Sequence, residues 1–268
     1  MRVRHLLPLV VGCILALAGC GDENGPTAPV TEEGISLKKH LPSHENLRAQ
    51  LRAVLEEQNG GLGFEMWATI LDRDGRVVDV VFSGEFRGDQ WPGSRVISAQ
   101  KANTANAFSL AGLALSTANL FAAVQPGGSL YGLQESNPVN PDVAYKGPAS
   151  AFGTRHDPMI GERIGGVNVF GGGLALYSSD GRLLGGLGIS GDTSCTDHIV
   201  AWKLRHALNL DNVPGGVGAG NTDNIIYTEP GGTIDGFEHP TCINVDGQGD
   251  ATEIGNNLPT TQPVGPGE

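Results

Sequence analysis

The sequence has few charged residues, and basic residues are the scarcer kind. Charged residues make up 17% of the 268, and 29 Asp and Glu against 17 Lys and Arg give a formal net charge of −12. A protein that binds nucleic acid or an anionic lipid surface through charge needs a basic face. The composition therefore argues against both kinds of partner.

Motifs of covalent haem attachment, metal binding and nucleophilic catalysis are also missing. Cys-x-x-Cys-His does not occur, so any haem would be bound non-covalently. No thiol pair has zinc-finger spacing, and the acidic string at 72–75 lacks the later ligands of a calcium loop, so we predict a turn there and no metal site. Residues 188–192 read G-I-S-G-D, whereas a nucleophile elbow requires G-x-S-x-G, with the second glycine at the fifth position. This difference argues against a hydrolase triad.

A long apolar run occurs only at the N-terminus. Two Arg precede the apolar residues 6–18, and the run ends in Leu-Ala-Gly-Cys at Cys20. This pattern resembles a bacterial lipoprotein signal, which predicts removal of residues 1–19 and acylation of Cys20. Cleavage removes two positive charges, so the mature chain carries −14. We expect an exported lipoprotein on the periplasmic face of the outer membrane or at the cell surface.

The mature sequence divides into three parts. Residues 20–42 are polar and lack an apolar period, which predicts a flexible tether. Residues 43–212 contain the periodic segments and form the predicted domain. Residues 213–268 are rich in glycine and predict an irregular tail.

Apolar residues at helical spacing predict four helices. In the first, Leu47, Leu51 and Val54 share one face, with Ser43 as N-cap and Gly60 as the stop. Two further stretches are predicted to be helical because they are rich in alanine, and a final segment shows the apolar spacing again. The later helices are predicted at 94–109, at 116–124, and from a cap at Thr193 or Ser194 through Leu204 and Leu208.

Two pairs of β-rich runs flank the same Asp-Gly-Arg turn. The runs lie at 64–71 and 76–82 in the first pair, and at 174–177 and 183–189 in the second. Short runs joined by such a turn predict hairpins. Together with the helices they predict an α+β fold with a central antiparallel β-sheet flanked by helices.

A glycine pattern near the second hairpin allows two interpretations. Gly186, Gly188 and Gly191 spell G-x-G-x-x-G, the phosphate loop of dinucleotide folds. That fold needs a strand ending in an acidic residue about 20 positions on, but Asp211 ends a predicted helix. We therefore favour the alternative, in which the glycines allow close packing of a strand on a helix and a tight turn after it.

Three separated segments resemble the GlcG/HbpS-like family of haem-binding, or haem-degrading domain, proteins. They are WPGSRVISAQKANTANAFS at 91–109, GGVNVFGGGLALY at 165–177 and GGLGISGDTSCTDHIVAW at 185–202. The resemblance covers about residues 45–210. It implies a profilin- or PAS-like fold, binding of haem or a related tetrapyrrole, and assembly into oligomers; one branch of the family is appended to corrinoid enzymes.

The resemblance and the long loop at 126–165 direct the search for a ligand site to this loop and the 94–109 helix. Lys101 and Thr104 share a face of that helix, so either they bind a ligand or the Lys101 stem lies along an apolar surface. His156 is the best candidate for the haem iron, with an ordinary exposed loop histidine as the alternative. The full predicted set is Arg95, Lys101 and Arg155 as cations for propionates, Thr104 as a further ligand contact, Phe108 and Phe152 as walls, and His156 as metal ligand.

Two further predictions concern the cysteines and the sheet. Cys13 is lost with the signal and Cys20 is acylated, so Cys195 and Cys242 are left to pair in an oxidising compartment; the alternative is a free, reactive Cys195. The low charge between 164 and 191 predicts an apolar face covered in a homo-oligomer, or by the long loop within one chain.

From these features together, we expect a non-enzymatic, lipid-anchored protein that binds haem or another small ligand. The alternatives are a haem-degrading or redox accessory enzyme, and a structural or assembly module without a ligand.

Overall fold

The computed structural model describes residues 39–228, 232, 234 and 236–265. The signal, Cys20 and the first part of the tether lie outside this range. The described chain forms a four-stranded antiparallel sheet with helices on both faces, so the predicted α+β class is confirmed. The elements in chain order are α1 (His44–Leu55), β1 (Trp67–Asp72), β2 (Val77–Phe82), α2 (Ser94–Phe108), α3 (Leu133–Ser136), α4 (Pro141–Ala144), β3 (Gly173–Tyr177), β4 (Leu183–Ser190), α5 (Ser194–Ala207) and α6 (Ala251–Asn256).

Both predicted hairpins are present, and the sheet joins them. The strand order is β2-β1-β4-β3, with every neighbouring pair antiparallel. The β1–β4 pairing sets Trp67 opposite Ser190 and Asp72 opposite Gly185. The two hairpins therefore form one sheet, with β1 and β4 at its centre.

One face of the sheet carries α2, and the glycines of β4 make that contact possible. Ala99, Ala102 and Ala105 are fully buried. A Cβ atom added at Gly186 would lie 2.2 Å from the Ala102 carbonyl oxygen, and one at Gly188 would lie 1.8 Å from that of Ser98. The glycine pattern thus lets helix and strand backbones touch, as the packing interpretation predicted.

The opposite face packs against α1 and α5. Leu47 and Leu51 of α1 and Leu204 of α5 are fully buried in one core with Ile70 and Leu187 of the sheet. Ser43 caps α1 by accepting a hydrogen bond from the Asn46 backbone, and Thr193 caps α5 in the same way. Both sheet faces are therefore covered by helices of the same chain.

Two segments differ from the sequence-based expectation. The predicted helix at 116–124 is a series of turns ending in a 3-10 helix at Ala122–Val124. The Asn119 side chain accepts hydrogen bonds from the Ser116 backbone N–H and hydroxyl (3.0 and 2.9 Å), and such local bonds compete with helix formation. The tail contains α6, which Asp250 caps and which packs against α5.

None of the helices in the described ranges has the length and apolar character needed to cross a membrane.

Candidate functional site

Arg95, predicted as a propionate-binding cation, is buried in a network that fastens the long loop to α2. Its guanidinium donates to both carboxylate oxygens of Asp157, and the Nε–Oδ2 distance is 2.8 Å. It also donates to the Ala144 carbonyl at 2.7 Å and stacks on the Phe152 ring at 3.7 Å. Only 2% of Arg95 is exposed, so its charge stabilises the contact between the long loop and α2 and does not face solvent.

Lys101 forms a second buried ion pair, with Asp197 of α5. Its Nζ lies 2.6 Å from Asp197 Oδ2 and also donates to the Ile189 carbonyl at 3.1 Å. The other Asp197 oxygen accepts from the backbone N–H groups of Gly191 and Asp192, each at 3.0 Å. Burial lowers the pKa of Lys101 and raises the pKa of Asp197 to about 6. Lys101 thus connects α2, the end of β4 and α5, instead of extending along an apolar surface.

Thr104, the other residue predicted on this face of α2, is also buried. Its hydroxyl donates to the Gln100 carbonyl at 2.8 Å and accepts from the Asn168 backbone N–H at 2.9 Å. Phe108 packs into a separate apolar cluster with Leu120 and Val169. The structure therefore does not bring these two residues together with Arg155 and His156.

Arg155 and His156 lie at the surface of the long loop. Arg155 forms an ion pair with Glu45 of α1, and both side chains are more than half exposed. The His156 backbone N–H donates to the Thr154 hydroxyl at 3.2 Å, and its ring has no hydrogen-bond partner in the described part of the chain.

The other described histidines are less accessible, with one exception. His44 pairs with Asp79 and His206 with Asp211 (2.8 and 2.7 Å), and His198 and His239 are buried. His40, near the end of the tether, is exposed like His156.

Aromatic side chains border an open groove of about 500 Å³, which we call the aromatic groove; its lining includes Thr154, the residue before Arg155 in the sequence. It lies between the loop that follows β2 and the segment around Phe152. Phe86 is 66% exposed, whereas Phe82 and Phe152 are half-buried at its base. Its lining is completed by polar and small residues; the full set is Phe82, Glu85, Phe86, Arg87, Gly88, Ser150, Phe152 and Thr154.

Hydrogen bonds from α1 hold one side of the aromatic groove, and a glycine lets the other side approach it. Arg48 and Arg52 of α1 donate to the carbonyls of residues 82–84 at 2.5–3.0 Å. Gly153 has φ of +72°, and a Cβ there would lie 2.4 Å from the Phe82 ring. The groove is therefore preformed, with glycine required where the two sides approach.

Residues 44–204 match the family model described as haem degrading protein HbpS-like, which covers more than half of the chain. The chain belongs to the HbpS-like family. None of the curated proteins matches it significantly.

Several solved structures are similar to this HbpS-like chain. Protein ORFY of Klebsiella pneumoniae is 23% identical, with 62% of this chain and 90% of that chain covered and a TM-score of 0.41. The PduOC:heme complex is 27% identical, with 62% and 94% covered and a TM-score of 0.41. A double mutant of HbpS from Streptomyces reticuli is 14% identical, with 72% and 97% covered and a TM-score of 0.40.

A second cluster of reactive groups in this HbpS-like protein lies at the N-terminus of α5. Cys195 and Cys242 form a disulfide with a Cα–Cα distance of 6.0 Å, as the sequence predicted. The Ser194 hydroxyl lies 2.7 Å from His239 Nε2, and the His239 ring packs on Phe121 at 4.7 Å between centroids. Burial lowers the pKa of His239 to about 4, so its imidazole is neutral at pH 7.

The sequence analysis missed Phe82, Phe86 and Arg87. Phe86 and Arg87 stand in a polar turn, S-G-E-F-R-G-D-Q, where a large aromatic residue is unexpected. That contrast was the available signal, because an aromatic side chain in a turn has no strand or helix face to bury it.

Proposed function

We propose that this chain binds haem or a related tetrapyrrole, non-covalently, in the aromatic groove. The observation that carries the proposal is the grouping of Phe82, Phe86 and Phe152 around a groove that is open to solvent. A partly exposed aromatic lining beside a cation is typical of a binding surface for a flat, apolar ligand with anionic groups. The family to which the chain belongs is described as haem-degrading, and one similar structure is a haem complex of another protein.

The residues around the aromatic groove fit the chemical needs of a tetrapyrrole. The three Phe rings supply apolar walls, and Arg87 is an exposed cation without an ion-pair partner in the described ranges. His156 follows Thr154 of the lining by two residues, and its free ring supplies a nitrogen for iron. Bound haem would supply an iron centre with a strong visible absorption.

In this proposal Arg95 and Lys101 are positioning residues. Arg95 holds the loop that carries Phe152, and Lys101 holds α2 against β4 and α5. Their buried charges are already paired, so a propionate is better served by the exposed Arg87.

Haem titration of the tether-free protein, followed by visible absorbance, tests the site. We expect Phe86→Ala to weaken binding at least tenfold, because it removes an exposed wall of the groove. Tyr131→Ala is the matched control, since Tyr131 is 68% exposed and lies outside the lining. Equal affinities of the two variants, or no saturable change with the unaltered protein, would reject the aromatic groove.

Iron ligation needs a separate variant. His156→Ala should shift the Soret band, because it removes the proposed nitrogen ligand, and His40→Ala should leave the band unchanged. If His156→Ala binds haem with the unaltered spectrum, another group ligates the iron.

The family description favours haem degradation as a second candidate function. Incubating the haem-loaded protein with a reductant and analysing the products by absorbance and mass spectrometry distinguishes the two. Intact haem after many equivalents of reductant supports a binder, and ring-opened products support an enzyme.

We also propose that the chain is exported and anchored in the cell envelope through acylated Cys20. The Leu-Ala-Gly-Cys sequence at the end of the apolar run supports this. Mass spectrometry of the N-terminal peptide from native membranes should show an acylated Cys20, and Cys20→Ala should release the protein from the membrane fraction.

A homo-oligomer remains part of the proposal, supported by the family resemblance. The exposed apolar sheet face that we expected is not its basis, because helices of the same chain cover both faces. Light scattering of the tether-free protein at micromolar concentration measures its mass in solution. A monomer mass would reject self-association.

A further inference from the structure

Three potential metal ligands meet where the C-terminal segment contacts α5. A ring nitrogen of His239 and the sulfurs of Cys195 and Cys242 all lie within 4.8 Å of one another. A tetrahedral zinc ion with bonds of about 2.0–2.3 Å spaces its ligands by less than about 4 Å, so small shifts would bring these atoms around one ion. The oxidised protein cannot form this site, because the two sulfurs are bonded to each other.

We propose that reduction of the Cys195–Cys242 disulfide creates a zinc site with His239 as third ligand. This site goes beyond the haem proposal and does not depend on it. The protein would then have two alternative ties between α5 and the C-terminal segment, a disulfide or a metal ion.

The redox step needs a dithiol reductant, such as a thioredoxin-like protein. The dithiol gives two electrons and two protons to the disulfide, which yields two protein thiols while the reductant becomes a disulfide. Zn²⁺ then binds both sulfurs as thiolates, and two protons are released to solvent. A neutral imidazole adds a third ligand, and water or the Ser194 hydroxyl is available as the fourth.

His239 is already held in the form that a metal requires. Its Nδ1 lies 2.6 Å from the Pro240 carbonyl, which can only accept, so Nδ1 carries the proton and Nε2 has the lone pair. Nε2 now accepts from the Ser194 hydroxyl at 2.7 Å, a contact that rotation of the hydroxyl can release. A carbonyl behind the imidazole is a usual arrangement for metal-binding histidines.

The cysteines are placed where thiolates are stabilised and a metal ion can enter. Cys195 is the second residue of α5, and its backbone N–H donates to Cys242 Sγ at 3.2 Å. Backbone N–H groups at the N-terminus of a helix point towards such a sulfur and stabilise negative charge on it. Cys242 is only half-buried and borders an open cavity of about 530 Å³ shared with Tyr227 and Asn244. This cavity offers a path from solvent.

The sequence did not indicate such a site, because only two of its three ligands, His239 and Cys242, are close in sequence. Cys195 and His239 are 44 positions apart, and Cys242 follows three positions later. Only the return of the chain to α5 brings them together.

The test uses the mature lipoprotein, in which Cys13 has been removed and Cys20 is acylated, so that Cys195 and Cys242 are the remaining thiols. It is reduced with a phosphine that is then removed without oxygen. Zn²⁺ is titrated in competition with a coloured chelator, and Co²⁺ is added separately to detect thiolate coordination by absorbance. We expect one Zn²⁺ per reduced chain, a thiolate-to-cobalt absorption band, and no binding by the oxidised chain. Absence of stoichiometric zinc binding by the reduced chain overturns the proposal.

Variants assign the ligands. His239→Asn and Cys242→Ser, both tested reduced, should each weaken zinc binding at least tenfold, and His156→Asn should not. Circular dichroism is recorded in parallel: a reduced chain that unfolds and refolds with zinc supports the site, and one that stays unfolded with zinc overturns it. Unchanged zinc affinity in Cys242→Ser also overturns it.

Discussion

The side chains of Arg205 and Asp223 form a two-point ion pair with no exposed surface on either partner. Both guanidinium–carboxylate contacts measure 2.7 Å, and Arg205 also donates to the Ala175 carbonyl of β3 at 3.0 Å. Asp223 lies beyond the region that matches the family, so the chain after residue 212 completes the charge balance of α5.

Asp223→Ala should therefore destabilise the protein by about 3–5 kcal/mol, because it leaves a buried guanidinium without its counter-charge. Denaturant unfolding measures the change. Glu162→Ala is the matched control, since Glu162 pairs with Lys146 at the surface and its loss should cost less than about 1 kcal/mol. Equal effects of the two substitutions would contradict this role of Asp223.

Gly188→Ala should destabilise the fold by more than about 3 kcal/mol, because the added Cβ would overlap the α2 backbone. Gly112→Ala is the comparison, because nothing lies within 4 Å of a Cβ there, and it should change stability by less than about 1 kcal/mol. Thermal unfolding of both variants checks the prediction, and a stable, soluble Gly188→Ala protein would show that α2 can move away from β4.

Loss of the disulfide in Cys242→Ser should lower the free energy of unfolding by about 4 kcal/mol in the chain-entropy model, given the 47-residue separation. Thiol labelling of the unfolded, unreduced mature protein provides a direct check of pairing. Stoichiometric labelling of Cys195 would mean that the bond does not form in the native protein.

Stability should fall as the pH drops from about 6.5 to about 4, in part because of His198. Burial lowers the pKa of His198 to about 4, so the unfolded chain binds the proton first and is stabilised by it. The loss attributable to His198 is about 3 kcal/mol across this window. Asp197 acts in the opposite direction, because its raised pKa makes the folded state bind a proton earlier.

The difference between the pH–stability curves of the unaltered protein and His198→Gln isolates the histidine. His198 Nε2 lies 3.1 Å from both Asn224 Oδ1 and the Ile225 backbone nitrogen, and the Gln amide carries both a donor and an acceptor for these partners. We expect the His198→Gln curve to be flatter between pH 6.5 and 4. Parallel curves would show that His198 does not titrate on unfolding.

Local patterns predicted most of the secondary structure, because each depends on neighbours in sequence. The Asp-Gly-Arg turns and the β-rich runs around them located both hairpins, and the i, i+4, i+7 spacing located α1. The helix predicted at 116–124 was wrong for a local reason, since Ser116 and Asn119 form hydrogen bonds with each other instead of continuing a helix.

The candidate site was harder to predict, because its decisive partners are distant in sequence. Asp157 lies 62 positions from Arg95 and Asp197 lies 96 positions from Lys101, so neither cation could be recognised as already paired. The aromatic groove likewise combines residues 82–88 with 150–154, which come together only through the fold. Residue type alone identified cations and aromatics but not what they contact.

The C-terminal segment is bound to α5 and to Asn212, shortly after α5, at several points along its length. Besides Asp223 and Cys242, the Pro259 carbonyl accepts from the Trp202 indole N–H at 2.9 Å, and that of Pro263 accepts from the Asn212 side chain at 2.6 Å. This segment is synthesised after α5, so α5 and its buried Arg205 lack these partners until the segment has followed them out of the ribosome. The core around α5 should consequently be completed only after the C-terminal segment has been synthesised, so this part of the fold forms late, after the hairpins and α2.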